Sequence, residues 1–205
     1  MPYLQPATAN YFGFMPANAS PGEIMINPYL VSSSEGNAIY PGDGLVISTR
    51  GTVRVTTGTW SSGIAGVAAS FLAANGGSTV ATLQSNTSQM VLVYDHPDQV
   101  FVGFDTTSGV LGSTKIGYNV PVLSTGATGS TGPNTTLNRS VMVLSGVDAS
   151  TGAVLPFKIV GLHPVEKGVY STVAAGTAGA TGEVRKWLVQ ANLTARTGGF
   201  AIVTT

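Results

Sequence analysis

Apolar residues along this chain recur in short runs with a period of two. Thr52-Val53-Arg54-Val55-Thr56 places Val53 and Val55 on one face and Arg54 on the other, as in a half-buried strand. Trp187-Leu188-Val189-Gln190-Ala191-Asn192-Leu193 puts its odd positions inward and turns Gln190 and Asn192 outward. Met90-Val91-Leu92-Val93-Tyr94 and Val100-Phe101-Val102-Gly103-Phe104 are β-branched and aromatic, which favours strands. Asp95-His96-Pro97-Asp98-Gln99 between them is rich in turn formers, so the two runs predict a hairpin. Further strands are predicted at Ile24–Ile26, Tyr29–Val31, Asn37–Tyr40, Leu45–Ile47, Ile116–Leu123, Val141–Leu144, Phe157–Leu162 and Phe200–Val203. The turns fall at Pro41-Gly42-Asp43-Gly44 and Arg50-Gly51, where proline and glycine set the dihedrals a reversal needs. Gly63–Ala74 is the one stretch whose Ala, Leu and Phe could build a helix, and Ile64–Ser70 within it reads better as a strand. Short strands with glycine-rich turns every ten residues or so predict an all-β body, a single β-barrel or β-sandwich.

The ends of the chain differ from this body. Pro2, Pro6, Pro16 and Pro21 exclude a helix near the N-terminus. Tyr3, Tyr11, Phe12 and Phe14 lie among them without an evident sheet to join. Residues 1–22 are therefore expected to form an extended arm, and residues 23–205 one β-rich domain. The four aromatics are candidate anchors to a partner, since exposed aromatics serve docking. Ser124–Thr136 and Ala174–Gly182 carry no apolar residue larger than alanine and predict long Gly/Ser/Thr-rich loops.

Composition narrows the function. Only 9% of the 205 residues are charged, and nine basic residues balance nine acidic ones. An ordinary domain carries about a quarter. An uncharged surface suits a protein that packs against copies of itself or a large partner. Balanced charge argues against a nucleic-acid partner, and the longest apolar run is too short for a membrane-spanning helix. The first residues show no basic and apolar leader pattern, so no secretory signal is expected. There is no cysteine, which removes disulfides and thiolate chemistry.

Catalytic patterns are missing as well. His96 and His163 are the only histidines, each before a proline, and they read as turn residues rather than as ligands of a metal site, which wants three or four convergent groups. Asp95, Asp98 and Asp105 could supply a pair of acids, but Asp95 and Asp98 are better explained by bonds to turn amides. The glycine repeats Gly126–Gly132 and Gly176–Gly182 lack the spacing and flanking elements of a phosphate loop. No catalytic residue, cofactor or metal is expected.

Several segments together resemble the capsid decoration, or cement, proteins of tailed phages. They are Tyr11–Pro16, Ile39–Val46, Ile64–Ala68, Val93–Pro97, Arg139–Leu144 and Ile159–Leu162, colinear over most of Tyr11–Leu193. Met15 stands where members usually carry a basic residue, and the chain has less surface charge than they do. The resemblance implies a virion protein bound to the outside of a capsid, with the major capsid protein and further copies of itself as partners. A closed homo-oligomer is expected, a trimer first and a dimer second. The alternative is a carbohydrate- or receptor-binding module of a tail or appendage, stacking sugars on Trp60 or Tyr170.

Overall fold

The computed structural model describes residues 13–17, 25–31, 35–48, 51–55, 59–60, 64–72, 79–80, 89–105, 111–123, 140, 142–146, 149–152, 155–163 and 186–192. Among them the protein is all-β, as its alternation predicts, with one 3₁₀ turn at Ser113–Lys115 and no α-helix. In chain order the strands are β1 (Met15–Pro16), β2 (Ile26–Leu30), β3 (Gly44–Ile47), β4 (Val53–Val55), β5 (Thr59–Trp60), β6 (Gly66–Leu72) and β7 (Thr79–Val80). They continue with β8 (Met90–Tyr94), β9 (Val100–Phe104), β10 (Asn119–Val120), β11 (Val122–Leu123), β12 (Val143–Leu144), β13 (Phe157–Leu162) and β14 (Lys186–Ala191).

These strands form three sheets. One runs β1-β9-β14-β13-β10, a second β2-β8-β6-β3-β4 with β7 beside β6, and a small third β12-β11-β5. All strand pairs are antiparallel. A parallel bridge between Val31 and Val53 brings the two margins of the second sheet together at one point. The sheets enclose one main core that includes Phe14, Ile39, Leu45, Phe71, Phe101 and Trp187. Among the described residues the architecture is of packed sheets in the manner of a sandwich, with no closed barrel.

Local sequence explains much of this. The Tyr40–Asp43 turn carries proline and then Gly42 at φ 92°, with the Asp43 amide donating to the Tyr40 carbonyl at 3.1 Å. A type II turn asks for these two residues at these two places. Pro28 lies within β2, which is a single strand across the proline rather than two segments flanking it. It is tolerated because β2 is an edge strand and Pro28 sits opposite Leu92 with its missing donor facing away from β8. In β14 the buried positions are Trp187, Val189 and Ala191, the predicted face.

Two expectations are corrected. β8 and β9 are not a hairpin, because β8 pairs with β2 and β6 while β9 pairs with β1 and β14. The Asp95–Gln99 link crosses from one sheet to another, and Tyr94 meets Phe101 edge-on at 6.2 Å across the junction. Turn composition specifies a reversal but not which strands pair afterwards. The second correction concerns the arm. Residues 13–17 belong to the body: Met15 and Pro16 pair with Val102 and Phe101. Gly13 makes the entry possible at φ +65°, where a Cβ would lie 2.5 Å from the Gly42 carbonyl oxygen. Phe14 then points into the core. Gly103 on β9 leaves the room it needs, since a Cβ there would sit 2.8 Å from the Phe14 ring. Gly103→Ala is expected to cost about 1–3 kcal/mol by overpacking, read as a lower denaturant midpoint.

Candidate interaction surface

The four aromatics proposed from sequence as partner anchors divide unevenly. Tyr3, Tyr11 and Phe12 lie outside the described residues. Phe14 is 1% exposed and its ring lies 4.2 Å from that of Phe157, centre to centre. A side chain so enclosed cannot anchor a partner, and its place in the interface expectation is withdrawn.

A different surface emerges from the strand register. The outward positions of β2, β8 and β6 align in rows: Leu30, Met90 and Leu72 form one, and Pro28, Leu92 and Ser70 the next. Ile26, opposite Tyr94, begins a third. No charged residue occurs among them, whereas a sheet face open to solvent is ordinarily polar. Leu30 is 49% exposed, and Ile26, Met90 and the adjoining Met25 are exposed to 40% or more. Inward neighbours Val91, Val93 and Phe71 are buried, so this sheet presents apolar side chains on both faces. The register shifts by one residue at Ala69, a bulge, so that Ala68 pairs with Val93 and Ser70 with Leu92. At the Tyr94 end the face runs into an open groove of about 240 Å³ lined by Met15, Pro16, Pro41, Ala69 and Tyr94 among others. Burial holds the Tyr94 phenol above its usual range.

The periodicity of β8 was visible in sequence, but the exposure of its even positions was not. Met90 and Leu92 read equally well as a second buried face. Only the edge position of β2, with Ile26 and Leu30 exposed beside them, shows that this side is open.

Among the described residues, Asp95, Asp105 and Glu35 each lie in a separate hydrogen-bonded setting. Asp95, buried, accepts from the Asn27 amide at 2.7 Å and from the Tyr29 hydroxyl at 2.7 Å. Its partners are side chains of β2, not the turn amides expected. Asp105 accepts from Trp187 Nε1 and from the Leu111 amide, each at 3.2 Å. Glu35 accepts from the backbone and side chain of Asn37. His96 acts as the turn residue anticipated, its Nδ1 accepting from the Asp98 amide at 3.2 Å. Among the described residues, no group of three or more His, Asp or Glu could hold a metal ion.

Asp43 is the exceptional carboxyl. It is buried, accepting from the Tyr40 amide at 2.8 Å and bonded by Ser140. Loss of hydration pushes its carboxyl up to about 7 from 3.8, against the two bonds, which favour charge. In the folded state the proton is therefore held more tightly than in the unfolded chain. Stability from this group is full below about pH 4 and is lost as pH rises through about 7. Denaturant melts are expected to show lower stability at pH 8 than at pH 5, a difference that Asp43→Asn reduces.

Comparison with family models, curated proteins and solved structures finds no match to this chain.

Proposed function

We propose that this chain is a structural component of a virion, a decoration protein that attaches to the outside of a phage capsid and ties neighbouring capsomers together. The observation that carries the reading is the uncharged outer face of β2, β8 and β6, with Leu30, Met90, Ile26 and Leu92 in register. The resemblance of the colinear segments supplies the kind of assembly. A face of this chemistry loses free energy when covered, at about 25 cal/mol per Å² of apolar area. Each contact can stay modest, because an oligomer engaging several capsid sites gains avidity. A homo-oligomer, trimeric before dimeric, fits that requirement.

Pro28 guides the manner of docking. It removes the central outward donor from the β2 edge, so strand addition there is blocked and the face is covered side-on. Attachment then depends on apolar area and changes little with ionic strength. The test is co-sedimentation of the purified protein with expanded capsids of its phage, at low and high salt. Leu30→Lys with Met90→Lys is expected to weaken attachment by at least about tenfold, or 1.4 kcal/mol, with the fold intact by thermal melt. Unchanged attachment of that variant, or attachment abolished by salt, would count against this face. Failure of the wild-type chain to sediment with capsids would count against the function.

A further inference from the structure

The Tyr40–Gly44 turn is the point where separate parts of the chain are tied together. The Phe14 amide donates to the Gly42 carbonyl at 2.9 Å, and the Ser140 amide to that of Pro41 at 3.3 Å. The Gly42 amide donates to the Ala68 carbonyl at 2.8 Å while the Ala68 amide donates to the Asp43 backbone carbonyl at 2.8 Å, fixing the turn to β6. The Gly44 amide meets the Met142 sulfur at 3.1 Å. Three segments distant in sequence, at 13–14, 68 and 140–142, therefore hang on one reversal.

Asp43 sits inside that reversal and fixes its shape. Its carboxylate closes the turn by accepting from Tyr40, and it is 4% exposed. Ser140, whose hydroxyl also accepts from the Met142 amide at 3.1 Å, bonds it from the other side. The groups facing it are thus a backbone amide, a hydroxyl and the Tyr40 phenol. Burial, and then the charge of Asp43, raise that phenol above its ordinary range, so it supplies no positive charge. Among the described residues no basic side chain pairs with the carboxyl. The neutral acid avoids the cost of burying a charge, whereas the carboxylate has two hydrogen bonds but no cation among the described residues to offset that cost.

We propose that Asp43 is a proton-operated latch: protonated, it holds the Gly13–Ala17 segment and Ser140 onto the body, and ionised, it opens the turn and releases them. The consequence is local. Gly42 and Pro41 carbonyls are the acceptors that dock Phe14 and Ser140, while the register of β13 with β14 does not involve the turn. The latch therefore sets how firmly Gly13–Ala17 is held on the body. The proton comes from and returns to solvent, so no other reactant is needed. The device stands apart from capsid binding and is tested on the isolated protein.

The experiment is amide hydrogen exchange by NMR on the full chain, from about pH 4.5 to about pH 8.5, corrected for intrinsic rates. Protection of the Phe14 and Ser140 amides is expected to fall by up to about tenfold per pH unit between about pH 4 and about 7 and to level off above that, as linkage requires for a carboxyl held neutral in the closed turn and ionised in the open one. Val189 and Ile159 amides, which do not depend on the turn, should stay at least about tenfold better protected than Phe14 at every pH. In Asp43→Asn the Phe14 amide should show no such fall. Equal opening free energies at Phe14 and Val189 across the range would mean that the turn opens only with the whole fold and overturn the latch, as would flat protection of Phe14 in the wild type. If Asp43→Asn does not fold, the side-chain carboxyl resonance of wild-type Asp43 decides. Titration at about pH 7, where Phe14 protection levels off, supports the latch, and titration in the ordinary carboxylate range overturns it.

Discussion

Replacing Phe14 by alanine is expected to destabilise the fold by about 3–5 kcal/mol, the range for emptying a buried aromatic site. The ring is 1% exposed and tilted against Phe157, which in turn meets Phe101 edge-on at 6.1 Å. Phe14 therefore begins a chain of aromatic contacts reaching β13 and β9. Alanine would leave a cavity between two sheets whose strands cannot close on it, because the β1–β9 register and the Phe14-to-Gly42 hydrogen bond hold the backbone in place. Met15, next in sequence but 41% exposed, is the control, and Met15→Ala should change stability by less than about 0.5 kcal/mol. Urea melts of both variants separate the two cases. A chain shortened to begin at Gly22 should lose at least as much as Phe14→Ala, since it removes β1 as well. If that shortened chain melts like the full one, Gly13–Ala17 is not part of the core.

The contrast between Phe14 and Met15 shows what the sequence could carry. Alternation was legible wherever it persisted over five residues or more, as in β8 and β14, because a period of two sends successive side chains to opposite faces. The Tyr40–Gly44 turn was legible because proline and glycine have steric reasons to be there. β1 has only two residues, too short for any period, and its prolines point to an extended conformation without saying what it pairs with. The β8–β9 link failed for a related reason. Its residues predict a change of direction, while the choice between hairpin and crossover is made by the packing of Phe101 and Tyr94. The candidate surface was the least legible, since an apolar face reads alike whether it meets a core or a partner. The glycine-rich loops at 124–136 and 174–182, and the run at 200–203, lie outside the described residues.

Trp187→Ala is expected to be the most damaging single change in the body, at about 5 kcal/mol. Trp187 is wholly buried on β14, the strand between β9 and β13, opposite Gly103 on one side and Leu162 on the other. Its removal opens a cavity in the middle of the sheet, where neither flanking strand can move inward without breaking its ladder. It also takes a donor from Asp105, an acid with no exposed surface whose Oδ2 receives both Trp187 Nε1 and the Leu111 amide. The two contributions can be separated. Trp187→Phe keeps most of the apolar volume but removes the N–H, and should cost about 2 kcal/mol, the range for leaving a buried polar group short of a partner. Asp105→Asn retains an acceptor oxygen and should be milder than Asp105→Leu, which strands both donors. In a double-mutant cycle by urea melts, Trp187→Phe and Asp105→Leu should couple by about 1–2 kcal/mol. Additive costs would show that Trp187 stabilises this junction by packing alone and that the Asp105 bond contributes nothing to it.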